Sequence, residues 1–142
     1  MFSLDPRLQQ DTVTLGDFPL CRLLLMNDVT YPWLILVPRR EAISEVFQLA
    51  ADEQQQLWRE TTQLAETLKD AFAADKMNVA TLGNVVSQLH MHVVVRRRDD
   101  AAWPAPVWGR QPAVPYSVQQ LRDMRERLRL VLADDDFQWV EV

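Results

Sequence analysis

The 142-residue chain has a single cysteine, only two histidines, and no apolar run longer than 33-WLILV-37. One cysteine excludes an internal disulfide. An apolar run that short cannot span a bilayer, which takes about 20 residues of helix. The amino terminus, MFSLDPRLQQ, lacks a basic segment followed by an apolar block, so it does not read as a secretory signal and a cytoplasmic location is expected. Positive charge is also scarce: 15 Lys and Arg stand against 20 Asp and Glu, a net charge of -5. Broad nucleic-acid binding needs many cations neutralising phosphates, so that class is excluded and any anionic ligand must be held locally. What remains is a chain 48% hydrophobic and 25% charged, the composition of a soluble globular protein. Its length suits one domain, residues 1–142, with a core that needs neither disulfide nor metal.

The pattern along the chain predicts a mixed fold. The segments 12-TVTLGD-17, 20-LCRLLLMN-27 and 33-WLILVP-38 read as three strands of a meander, the first two separated by a Gly-Asp-Phe-Pro turn. From Asp52, a candidate N-cap, Leu57, Thr61, Leu64, Leu68 and Phe72 recur at helical spacing and predict a helix lying on that sheet. A strand-like start at Met77 and the Gly83-Asn84 turn precede another strand. Residues 103–116, rich in Pro and Trp, predict an ordered loop. Ser117 and Gln120 then form a capping box for a second helix carrying Leu121, Met124, Leu128 and Leu132, ended by Asp134, Asp135 and Asp136. Phe137 and Trp139, at matching parity in the acidic tail, are candidates for docking on a partner copy.

Both histidines fall in 86-VSQLHMHVVVRRR-98. In an extended strand Gln88, His90 and His92 point one way and Leu89, Met91 and Val93 the other. This predicts an antiparallel sheet with its apolar face on a core and an open face bearing a Gln-His-His row. Three readings of that row compete. It is a set of polar residues on a wet sheet face; or a metal site, with Cys21, Asp99 or Asp100 completing the ligands; or a site of nucleophilic catalysis, in which one neutral imidazole attacks phosphorus and its neighbour stabilises the phosphoryl oxygens.

The segment 83-GNVVSQLHMHVVVR-96 resembles the signature of the histidine triad (HIT) family, His-φ-His-φ-His-φ-φ with φ apolar after a Gly-Asn or Gly-Gln turn. The upstream 24-LLMNDVTYPWLILVPRR-40 is similar to a second block of that family, and together the blocks cover about residues 10 to 100. The resemblance implies an α+β domain, with a five-stranded antiparallel sheet, one long helix packed on it and a C-terminal helix, paired into a homodimer. It implies a hydrolase or nucleotidyl transferase acting at the α-phosphate of a purine nucleotide derivative, of dinucleoside polyphosphate or phosphoramidate type, with no cofactor and no metal in the chemical step. Carried over by position, His90 is the nucleophile that forms a nucleotidyl-imidazole intermediate, and His92 stabilises phosphoryl oxygens. Asn27 stands at the ribose contact with Asp28 beside it as the competitor, while Asn84 and Asn78 are candidate donors to phosphate oxygens, or simply turn and strand residues.

The chain also departs from the pattern. Gln88 takes the place of the first triad histidine, keeping a hydrogen-bonding side chain in the row and removing a titratable group. The alternative implied is a nucleotide-binding protein with little or no turnover. Val85 stands where several relatives carry Ser or Thr. Arg96, Arg97 and Arg98 are candidates for neutralising phosphate, Trp103 and Trp108 for flanking the site, and Leu34 and Leu36 for lining a base pocket. Cys21 reads as a small buried hydrophobe.

Overall fold

A computed structural model describes residues 1–133 and 136–140 of the chain. Asp5 accepts the backbone N–H of Arg7 and Pro6 begins the first turn, so a short helix α1 forms at Pro6–Asp11 within the amino-terminal segment. Strands β1 (Thr12–Asp17), β2 (Cys21–Met26) and β3 (Trp33–Pro38) follow as the expected meander. Helix α2 (Ala51–Ala71) starts just ahead of Asp52, with Ala50 at the N-cap, where the Glu53 side chain takes the Ala50 N–H. Strands β4 (Lys76–Ala80) and β5 (Met91–Arg96), helix α3 (Val118–Val131) and a two-residue strand β6 (Gln138–Trp139) complete the fold. Ser117 and Gln120 cap α3 reciprocally, as their spacing predicts.

The sheet is antiparallel with order β4-β5-β3-β2-β1-β6, so it has six strands where five were expected. The extra strand is the carboxyl tail. Phe137 packs against Phe18 at 4.5 Å between ring centroids, and β6 pairs with β1 through Gly16 and Asp17. Gly16 makes this possible, because a Cβ there would lie 2.3 Å from the Gln138 carbonyl oxygen. Phe137 and Trp139 are therefore docked on their own chain and not held out for a partner. Of the acidic run expected to end α3, Asp134 and Asp135 lie outside the described residues; the helix stops at Val131 with Leu132 as its C-cap.

Both faces of the sheet are buried. On one, Leu23, Leu25, Leu34, Leu36, Met91 and Val93 meet Leu57, Leu64 and Leu68 of α2 and Leu128 of α3. On the other, Leu24, Trp33, Ile35 and Val94 meet Leu8 of α1 and Ala102 and Val107 of the Pro-rich loop. The face expected to be open thus carries a second apolar cluster, and residues 91–96 are buried throughout. Among the described residues no helix is long and apolar enough to cross a membrane.

Helix α2 is tied to the sheet by Glu60, which is buried and accepts the backbone N–H groups of Leu20 and Cys21, each at 2.9 Å. Removing the carboxylate strands both donors. Glu60→Ala should lower the unfolding free energy by about 3 kcal/mol in urea titration, with Glu60→Gln losing less because one acceptor survives.

Candidate functional site

Antiparallel pairing places Ile35 of β3 opposite His92 of β5, so Trp33, Ile35 and His92 leave the sheet on the same side. There they floor a cleft of ≈ 440 Å³. The 83–86 turn, where Gly83 adopts φ 78°, forms one wall with His90, and the Pro-rich loop brings Trp108 to another. Leu8, Met26 and Asp28 also line it, with Arg7 and Asp11 of α1. His90 and His92 are each 6% exposed, with ring centroids 4.8 Å apart. His92 is further boxed by Trp33 and Trp108 at 5.7 and 5.3 Å.

The two imidazoles are held in opposite tautomers by their partners. Nδ1 of His90 lies 2.7 Å from the backbone carbonyl of Gln88. A carbonyl only accepts, so Nδ1 carries a proton and, in the neutral ring, the lone pair is on Nε2. Nδ1 of His92 lies 3.0 Å from the indole Nε1 of Trp33. An indole N–H only donates, so Nδ1 of His92 accepts and its proton sits on Nε2. Burial, reinforced by the neighbouring His90, pushes the pKa of His92 down from 6.5 to about 3, so this ring is neutral at any ordinary pH. The cleft therefore pairs a ring nitrogen that can attack with a ring N–H that can donate.

The other expected site residues divide. Asp28 and Asn84 line the cleft. Asn27 does not: its side-chain oxygen accepts the backbone N–H of Tyr116 at 2.9 Å and so anchors the start of α3. Asn78 lies on the cleft side of β4 by register, but its oxygen is taken by Arg96 at 2.8 Å. Gln88 is the largest departure. It precedes the paired part of β5, so strand alternation does not govern it, and its amide turns away from the cleft to the amino-terminal segment. There Nε2 donates to the Ser3 carbonyl at 2.9 Å and Oε1 accepts the Asp5 N–H at 2.8 Å.

None of the three arginines lines the cleft. Arg96 is buried, bonded to Asp100 and the Ala105 carbonyl with Trp103 stacked at 5.5 Å, so both Arg96 and Trp103 brace the loop. Arg97 binds the carbonyls ending α2, and Arg98 lies near Asp75. Leu34 and Leu36 face α2; the opposite parity of β3, Trp33 and Ile35, meets the cleft. The residues offered as completing a metal set are engaged elsewhere: burial and Glu60 push the Cys21 thiol pKa upward, while Asp99 and Asp100 pair with Arg97 and Arg96. Sequence reasoning missed Trp33, Arg7, Leu8 and Asp11 as lining residues. The Asp5-Pro6 start of α1 was the legible signal for the last three.

This arrangement, two adjacent imidazoles at the end of a buried strand beside a Gly-Asn turn, stands on a HIT-type fold. A scan of protein families matches the HIT domain over residues 7–99, and the chain belongs to that family. Among solved structures it is similar to a histidine triad protein from Marinobacter aquaeolei VT8, with 50% identity, TM-score 0.92, and 94% of this chain and 97% of that one covered. It is likewise similar to a histidine triad protein from Sinorhizobium meliloti 1021, at 45% identity, TM-score 0.90, and 93% and 98% coverage. A third, from Bradyrhizobium japonicum, has 41% identity, TM-score 0.89, and 92% and 98% coverage. No curated protein matches. Family membership supports a nucleotide-binding hydrolase or transferase.

The depressed pKa of His92 has a consequence for stability. Below pH 6.5 the unfolded chain takes up a proton at this position, and the native chain does not until about pH 3. Stability contributed by His92 is therefore complete above pH 6.5 and is lost as pH falls toward 3. Denaturant midpoints should decline from pH 7 to 4.5, largely above the range where carboxylates titrate, and His92→Gln should flatten that decline.

Proposed function

We propose that the chain is a nucleotide hydrolase or nucleotidyl transferase that attacks the α-phosphorus of a purine nucleotide derivative with Nε2 of His90. The observation that carries this reading is the bond from Nδ1 of His90 to the Gln88 carbonyl, which leaves the attacking lone pair on the other nitrogen. As the Nε2–P bond forms, the bond from phosphorus to the leaving group breaks, and Nε2–H of His92 stabilises the charge gathering on the phosphoryl oxygens. Water, or an acceptor alcohol or phosphate in transfer, then displaces His90 and releases the nucleotide. The side chain of Asn84 suits a phosphoryl oxygen. Asp28 suits the ribose better than Asn27 does: its Oδ1 accepts Thr30 and Val114 N–H groups, which orients Oδ2 for a hydroxyl. The apolar lining of Leu8, Met26, Ile35 and Trp108 suits the base.

The leaving group is constrained by the same geometry. Gln88 is turned away, and His92 is held neutral as a hydrogen-bond donor and too weak an acid to surrender its last proton. No imidazole remains to protonate a departing amine, so leaving groups that depart as stable anions, the phosphates of an anhydride, are favoured over the amines of a phosphoramidate. We further propose that residues 1–142 act as one domain, since Leu128, Leu132 and Phe137 share the core of the motif-bearing strands. We also propose a homodimer, because β4 ends the sheet with Val79 exposed and α2 exposes Trp58.

Turnover, covalent labelling and mass in solution test these readings. A panel of adenosine and guanosine derivatives differing only beyond the α-phosphate should release nucleoside monophosphate, fastest from anhydrides. His90→Asn should bind nucleotide but keep less than about a tenth of the rate, since an attacking group is worth several kcal/mol of barrier, and only wild type should carry label after a brief quench that avoids acid. Turnover in His90→Asn would reject the covalent mechanism, and binding without turnover by the wild type would favour the alternative of a nucleotide-binding protein. Light scattering at micromolar concentration should give twice the chain mass; a monomer rejects the dimer.

A further inference from the structure

The site at the first triad position is occupied by a residue whose side chain serves another part of the molecule. The amide of Gln88 meets the amino-terminal segment with both its donor and its acceptor, at the Ser3 carbonyl and the Asp5 N–H, as a neighbouring strand would. Asp5 then caps α1 through Arg7 N–H, and Leu8, 5% exposed, is carried into the cluster around Trp33 and Ile35. Arg7, Leu8 and Asp11 line the same cleft as the two histidines. Arg7 is the only lysine or arginine among the described lining residues, and its contact with Asp11 is long, 3.8 Å, and well exposed. The side chain of Gln88 borders a different hollow, formed with Ser3, Asp5 and Ser44, and not the cleft.

We infer that Gln88 is a positioning residue that fastens residues 1–11 as a strap across the nucleotide cleft, so that the strap supplies Leu8 to the base and Arg7 to an anionic group of the substrate. The inference rests on the nucleotide reading above. The backbone and the side chain of Gln88 have separate tasks: the carbonyl sets the tautomer of His90, and the amide holds the cleft wall. An amide is suited to the second task because it presents one donor and one acceptor side by side, matching a carbonyl and an N–H two residues apart on an extended strap. Imidazole presents its two nitrogens in diverging directions and matches only one. In this chain the first triad position thus contributes to binding through the strap and carries no proton.

The fastening is read without ligand by trypsin cleavage after Arg7, followed as release of the 1–7 peptide by mass spectrometry. Gln88→Ala should speed release about tenfold and raise KM about tenfold, with kcat changed less than about threefold. Gln88→Glu, which keeps the acceptor for Asp5 and loses the donor to Ser3, should fall between. Gln88→His should resemble Gln88→Ala and show no new pH dependence of kcat near neutrality. In wild type, guanosine or adenosine monophosphate should slow cleavage after Arg7, and Arg7→Gln should raise KM for the best anhydride substrate. Unchanged peptide release in Gln88→Ala, a loss confined to kcat, or a gain in kcat with a new limb near neutrality in Gln88→His would each overturn the inference. So would cleavage indifferent to either monophosphate in a protein shown by calorimetry to bind it. If the wild type lacks turnover but binds these monophosphates, the catalytic reading fails while protection of the strap still decides this one.

Discussion

Successive side chains of β5 leave opposite faces of the sheet, and this single constraint organises the molecule. Met91, Val93 and Val95 are fixed against the core shared with α2. His92, Val94 and Arg96 are thereby forced to the other side, where His92 meets the cleft and Arg96 anchors the Pro-rich loop through Asp100 and Ala105. A slip of one residue would put the histidine under α2 and turn Val93 and Val95 to the cleft side. The apolar core is thus what holds the imidazole in register, and the energy that folds the chain also sets the chemistry.

Burial on the second face then decides the electrostatics. Trp33 lies two residues before Ile35 on the neighbouring strand and reaches His92 with its indole N–H, while Trp108 closes from the loop. Those contacts remove water from His92 and keep it uncharged, so the cleft relies on oriented N–H groups in place of full positive charges. This agrees with a chain whose net charge is negative and whose cleft, among the described residues, is lined by a single arginine. In a partly dry cleft a directed neutral donor acts strongly on developing charge and costs less to bury than a cation.

The amino-terminal segment connects these features. It is short and held by local bonds: the Gln88 amide, the cap at Asp5, and Leu8 packed beside Trp33. It still covers the end of a sheet face that would otherwise be wet. A segment held by so few contacts opens at a lower free energy than the strands beneath it, which gives the proposed site a wall that can yield to a ligand while the histidines remain fixed.

Much of this was readable in one dimension because it depends on local period and composition. Alternation at 89-LHMHVVV-95 placed the two histidines on one side, the leucine stripe from Leu57 to Leu68 marked α2, and Ser117 with Gln120 marked the start of α3. The motif around His90 and His92 carries the family resemblance in residues 83–96 alone. What alternation leaves open is which face meets which layer, so Leu34 and Leu36 exchanged roles with Trp33 and Ile35. Asn27 and Asn78 turned to partners distant in sequence, Tyr116 and Arg96, and Arg96 itself closed on the loop that follows it through Asp100 and the Ala105 carbonyl; period alone does not reveal such pairs. The role of Gln88 lay furthest from view: its partners, Ser3 and Asp5, are more than 80 residues away, and only the folded sheet brings that segment across the cleft. Residue type and spacing determined the strands, the helices and the pair of imidazoles; the tertiary structure decided the tautomer and charge of His92 and the company both rings keep, because those are set by a hydrogen bond from Trp33 and a loss of water that exist only between distant parts of the chain.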